Sequence, residues 1–186
     1  MPKWDNIKTK HGYTADEVIS ALQKSIRRGE EDDAVFFAYE MLVSGDELSD
    51  KFWERVRVIC VEDVGLANPQ LAATIYALHQ NFLALKGQSD AFLHALFAVV
   101  LLVRSHKSRY IDELFNNLRA KVEQENYRRD VPDYALDKHT QKGEAMGRSD
   151  LHFWEEASQL KEDVSIHEKK HLQEILQRLK RRNNAT

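Results

Sequence analysis

Apolar residues recur along this chain mostly at intervals of three and four positions, which is the spacing of a helix with one buried face. A capping box of Thr14 and Glu17 opens the first predicted helix, which ends at Gly29. Five more helices are predicted to start at Asp32 or Asp33, Ser49, Asn68, Ser89, and Ser105 or Ser108. The pattern predicts an all-α fold, a compact multi-helix bundle.

The fifth and sixth predicted helices carry the strongest apolar signals. Residues 92–103 are apolar on nearly all sides, so we predict that the fifth helix is central and wrapped by the others. The sixth helix has a single apolar stripe, which we predict to face inward. The stripe consists of Ile111, Leu114, Phe115, Leu118 and Val122.

The periodicity weakens after residue 125. Between Asn126 and Gly147 we predict an irregular segment with a short helix after Asp137, then a helix over 151–160 and a last helix that opens at Ser165. Residues 1–125 are therefore predicted to form a helical core domain. Residues 126–186 are predicted to form a C-terminal extension packed on that core.

Composition narrows the class of protein. Of the 186 residues 42% are hydrophobic and 31% charged, which excludes a disordered chain. The longest apolar stretch, 91–103, is shorter than the about 20 residues of a membrane span, so no membrane partner is expected. The single Cys60 excludes an internal disulfide, and the N-terminus has no apolar signal core. We expect a cytoplasmic protein.

His167, Glu168 and His171 match the HExxH motif, in which two histidines on one helical face bind Zn²⁺ and the glutamate acts as a base. Lys169 and Lys170 occupy the two middle positions, where positive charge opposes a dication. Glu168 also has a capping role at the helix start. We interpret the string as a solvated first turn and predict no metal; a small metal-dependent hydrolase is the alternative.

A second candidate for metal or polar binding lies in the irregular segment. Its members are Asp137, His139, His152 and Glu155. Such side chains more often bond to backbone groups that lack helical partners. A hydrolase centred on this cluster remains the alternative.

Glu62 and Asp63 end the third predicted helix, where the negative end of the helix dipole disfavours acids. Asp63 also points near the apolar face, and a partly buried acid needs cations or donors. Arg55 lies on the same side as Glu62. We predict that Arg55, Glu62 and Asp63 form a structural polar junction.

Basic residues form groups that we assign as possible contacts to DNA or a protein partner, alternatively as solvated helix ends. They are Lys24, Arg27, Arg28, Lys107, Arg109, Arg178, Lys180 and Arg181. The chain has no phosphate-binding loop, dinucleotide fingerprint or nucleophile elbow. We therefore predict no cofactor and no catalytic residue.

Three strings carry a resemblance to a known family. They are ISALQKSIRRG at 19–29, RVICVEDVGLANPQ at 57–70 and RSHKSR at 104–109, with a further Val-Pro at 131–132. On the basis of these strings, residues 13–132 resemble the C-terminal region of the RarA/MgsA family of AAA+ replication-associated recombination ATPases. The segment EDVGLANP is the most specific of the matches.

The resemblance implies a helical domain that assembles into a homotetramer and associates with DNA and with replication or repair proteins. The AAA+ module of the family has no counterpart in the sequence, and MPKWDN resembles a natural start, so we expect no ATPase activity. The favoured hypothesis is a non-catalytic oligomerisation and interaction module of DNA replication, recombination or repair. A metal-dependent hydrolase and a direct DNA-binding protein are the alternatives.

Overall fold

A computed structural model describes residues 4–161 and 170–183. All regular elements within these residues are helices, apart from one isolated bridge between Lys8 and Thr14, so the predicted all-α fold is confirmed. None of the helices described is long and apolar enough to cross a membrane. The chain divides into two compact units, Met1–Asn126 and Tyr127–Thr186.

Six α-helices lie within the described residues of the first unit. They are α1 (Ala15–Arg28), α2 (Glu31–Val43), α3 (Asp46–Ile59), α4 (Leu71–Ala84), α5 (Ala91–Arg104) and α6 (Tyr110–Gln124). A π-helical turn, Cys60–Val64, and a 3-10 turn, Gly65–Ala67, extend α3. Helices α1 to α5 supply one buried apolar core, whose largest members are Trp53 and Phe52.

One predicted capping bond and one predicted helix start were wrong. Thr14 is the N-cap residue of α1, as predicted, but its hydroxyl makes no capping bond and accepts a hydrogen bond from Lys8 Nζ at 3.1 Å. Helix α3 begins at Asp46, three residues before the predicted start, and Ser49 is buried on its inner side. The end of α1 was predicted correctly, since Gly29 adopts a left-handed conformation with φ 79°.

The predicted burial of α6 was also wrong, and α5, although it packs against α1 to α4 as a central helix should, is not enclosed on all sides. Small and branched side chains of α5 fill the core, while Leu93 and Phe97 on its outer side are 66% and 52% exposed. No residue of α6 is buried. The core is already closed by α1 to α5, and α6 packs against the two turns that follow α3. The apolar stripe of α6 therefore lies at the surface.

The described part of the second unit consists of several short elements and one longer helix. They are a 3-10 turn (Asp133–Ala135), α7 (Gln141–Ala145), α8 (Asp150–His152), a π-helical turn (Phe153–Ala157) and α9 (Lys170–Asn183). The short helix after Asp137 is confirmed as α7, whereas the helix predicted over 151–160 is reduced to α8 and the π-helical turn. Gly143 is required in α7, because a Cβ there would lie 1.9 Å from the Asp137 carbonyl oxygen. The predicted start at Ser165 lies outside the described residues, and the packing of the extension on the core stays a prediction.

Candidate functional site

A buried polar feature of the first unit lies in the π-helical turn after α3. Here the Asp63 side chain is 0% exposed, although it ends an otherwise apolar face. A backbone hydrogen bond also holds this turn in place, because the Ser108 amide donates to the Asp63 carbonyl oxygen at 2.9 Å. A buried carboxylate must be compensated by donors or cations, so its surroundings define the site.

Two arginines compensate the acids of this turn. Arg27, in the last turn of α1, donates through Nε to Asp63 at 2.6 Å and through an Nη to Glu62 at 3.0 Å. Arg109, just before α6, reaches Asp63 at 3.2 Å and also bonds Asp112. The acids and arginines hold α1, α3 and α6 together.

Arg55 and Gln23 complete the network. Gln23 donates to Asp63 at 3.3 Å and accepts a hydrogen bond from Arg55, whose guanidinium lies 3.9 Å from Glu62. The structure thus brings Arg55, Glu62 and Asp63 into one neighbourhood, as the sequence predicted. The charges balance, because three arginines surround three carboxylates (Glu62, Asp63 and Asp112), and these groups bond one another.

Lys107 performs a second structural task beside this network. Its ammonium donates to the carbonyl oxygens of Leu102, Val103 and Ser105 at 2.6 to 2.8 Å and so caps the end of α5. Burial lowers the pKa of Lys107, although the nearby Asp63 acts in the opposite direction. This lysine therefore serves as a helix cap rather than as a free surface cation.

An apolar groove of about 460 Å³ runs alongside the network, between α3 and α6. Its apolar wall comes from Val58 and Val61 on one side and from Ile111 and Phe115 on the other. Val58, Val61 and Phe115 are 38%, 46% and 58% exposed. The groove therefore continues the exposed stripe of α6 onto the end of α3.

The residues assigned as possible DNA contacts in the first unit differ in whether they are bonded within the chain or exposed at the surface. The side chains of Arg27, Lys107 and Arg109 donate hydrogen bonds to other groups of the same chain, as described above. Lys24 and Arg28 are exposed on α1. The basic end of α1 is thus the part of this group in the first unit that remains at the surface.

In the second unit, the candidate cluster is only partly assembled. Asp137 is 9% exposed and accepts hydrogen bonds from the backbone amide and ring Nδ1 of His139, both at 2.9 Å. These bonds from His139 lower the pKa of Asp137. His152 Nδ1 is buried without a hydrogen-bond partner in the described part of the chain. Among the described residues, no three His, Cys, Asp or Glu side chains are placed to hold a metal ion.

Helix α9 carries the remaining basic candidates. Lys180 pairs with Glu155 at 2.7 Å and Arg178 with Glu174 at 3.6 Å, while Arg181 is exposed. His171, the last residue of the HExxH string, is exposed on this helix. Residues 167–169 of that string lie outside the described residues, so its proposed metal site stays a hypothesis.

The sequence pattern did not predict the roles of Gln23, Arg27 and Arg109 in the junction. Arg27 and Arg109 are 36 and 46 positions from Asp63, and no periodicity links them. A signal was nevertheless present, because the three strings that carry the family resemblance each supply members of this network. Strings at 19–29, 57–70 and 104–109 meet at one place in the fold.

Comparison with known proteins identifies the family. The family described as "MgsA AAA+ ATPase C terminal" matches residues 29–180, well beyond residue 132 where the resemblance in the sequence ended. The chain is 31% identical over 144 residues to the replication-associated recombination protein A of Bacillus subtilis (strain 168), a match that covers 75% of this chain and 32% of that protein. The chain thus spans about a third of the length of this curated relative. It belongs to the MgsA C-terminal family.

Proposed function

We propose that this chain is a non-catalytic oligomerisation and interaction module of replication-associated recombination or repair, and that it assembles into a homotetramer. Membership of the MgsA C-terminal family and the name of the relative from Bacillus subtilis support the cellular context. The mutual bonding of the charged groups around Asp63 supports a structural role for them.

The observation that carries the assembly proposal is the exposed stripe of α6. Leu114, Phe115 and Leu118 are 48%, 58% and 50% exposed, and they recur at helical spacing on one face. Contiguous apolar surface of this kind marks interaction sites in soluble proteins. In addition, a 15-residue helix gains most of its stability from covering its apolar face, so a partner that covers α6 would stabilise it.

Thermal unfolding at a series of protein concentrations tests this proposal. Only folded chains assemble with one another, so by mass action the unfolding midpoint rises with protein concentration. We expect a midpoint that increases steadily over a hundredfold range of concentration. A midpoint that stays constant over this range would overturn the assembly proposal.

A further inference from the structure

We propose that α6 of one copy pairs antiparallel with α6 of a second copy, around a two-fold axis that passes beside Phe115 and Asn116. This inference rests on the proposed function, because it names the surface through which the chain self-associates. Two-fold contacts of this type place the same patch of both copies face to face.

The apolar face of α6 is suited to a helical partner. At about 100° per residue, Ile111, Leu114, Phe115 and Leu118 project within about 60° of one direction. The groove of about 460 Å³ beside this stripe adds Val58 and Val61 to the apolar surface. A helix laid on the stripe can place large side chains into this groove, which is how helices recognise apolar grooves.

Charge on the edge of the stripe selects the antiparallel direction. Asp112 and Arg119 are seven residues apart, so they lie nearly above one another on the same flank of α6. Arg119 sits over the Phe115 ring at 5.3 Å and donates to Asn116, and no carboxylate among the described residues forms an ion pair with it. In an antiparallel pair each Asp112 meets Arg119 of the second copy, whereas a parallel two-fold pair turns this flank toward the one that carries Tyr110 and Lys121, so Arg119 approaches a lysine instead of an acid.

The apolar residues agree with the same alignment. When Asp112 faces Arg119 of the second copy, Leu114 lies opposite Leu118 of that copy. Tyr110, on the other flank, lies opposite Lys121 of the second copy. The midpoints of these three pairs lie within half a residue of one another, at 115.5 to 116, so one two-fold axis satisfies the ion pairs and the apolar contacts together.

Site-directed cross-linking tests the pairing. Tyr110→Cys and Lys121→Cys place single thiols at exposed positions off the apolar stripe, and the two chains can be co-expressed with different tags. The native Cys60 is buried, and burial raises the pKa of its thiol, so it reacts slowly with maleimides. A short bis-maleimide should join the Tyr110→Cys chain to the Lys121→Cys chain.

The controls are the same two variants treated separately. In the antiparallel pair, the two copies of residue 110 are about 16 Å farther apart along the helix axis than the mixed pair, and so are the two copies of residue 121. We therefore expect several times more product from the mixture than from either variant alone. Equal or greater self-coupling would overturn the antiparallel pairing. An oligomer without α6 cross-links would overturn this inference but leave the proposed function standing, and a monomer would overturn both.

Charge reversal provides a second measurement. Arg119→Glu sets two acids opposite each other at both symmetric contacts, so the dissociation constant for self-association should rise about tenfold or more. Lys10→Glu makes the same change of charge at an exposed position before α1 and should leave that constant unaltered. Equal constants for the two variants would contradict the role of Arg119 at the interface.

Discussion

Replacing Asp63 with alanine is the sharpest perturbation of the junction. The change removes a fully buried carboxylate that accepts hydrogen bonds from Arg27 at 2.6 Å, Arg109 at 3.2 Å and Gln23 at 3.3 Å. The two guanidinium groups remain: Arg27 loses its nearest counter-charge, whereas Arg109 keeps its closer contact with Asp112. The expected result is a less stable first unit, because α1, α3 and α6 are joined through this side chain.

The size of the expected loss of stability depends on how exposed the arginine partners of Asp63 are. Removing one member of a buried ion pair costs about 3–5 kcal/mol when the other charge stays buried. Arg27 and Arg109 are 33% and 35% exposed, so they can regain water, and Glu62 remains beside them. We therefore expect the free energy of unfolding to fall by about 2–3 kcal/mol.

Urea unfolding followed by circular dichroism measures this change. Asp63→Ala should lower the midpoint without changing the slope, since the surface exposed on unfolding is nearly the same. Glu113→Ala removes an exposed acid of α6 and serves as the control, with an expected change within about 0.5 kcal/mol. An Asp63→Ala variant as stable as the wild type, or more stable, would refute the structural role and indicate a carboxylate kept for a ligand.

Three further predictions concern other buried or exposed polar groups. Lys107→Met should lower the free energy of unfolding by about 1–3 kcal/mol, because carbonyl groups at the end of α5 lose their donor. Its affinity for duplex DNA at low salt should stay the same. A tenfold loss of DNA affinity without destabilisation would indicate a DNA contact instead. Burial alone would raise the pKa of Glu40, but hydrogen bonds from Thr9 and His11 outweigh it and lower the pKa. The stability that this carboxylate contributes is therefore present above its ordinary pKa and is lost as pH falls through the lowered pKa. The difference in free energy of unfolding between wild type and Glu40→Gln should therefore shrink as pH falls from neutral to values below the ordinary pKa of glutamate. His171→Ala should change neither the unfolding midpoint nor the zinc content of protein purified without added metal; stoichiometric zinc lost on this substitution would favour the metal-dependent hydrolase.

Local pattern was sufficient to predict the helical fold, but not which apolar faces the chain buries. The spacing of Leu22 and Ile26 on α1 and that of Leu114 and Leu118 on α6 look alike, yet the first pair is buried and the second is about half exposed. Periodicity shows only that a helix has one apolar face. Whether that face meets the core or another molecule depends on how many helices the core already contains.

The polar junction shows the same limit for long-range contacts. Asp63 could be predicted to need compensation, because it combines an acid with an apolar face at the wrong end of a helix. Arg27 could not be identified as its partner, since the two residues are 36 positions apart and belong to different helices. Only the packing of α1 against α3 brings them together.

The mass of the wild-type chain in solution tests the central claim most directly. Multi-angle light scattering behind size exclusion gives this mass without assumptions about shape. Assembly through exposed apolar faces predicts a particle heavier than the 21.6 kDa chain, reaching about four times that mass for the proposed tetramer. A particle of 21.6 kDa at the highest concentration attainable would contradict the account.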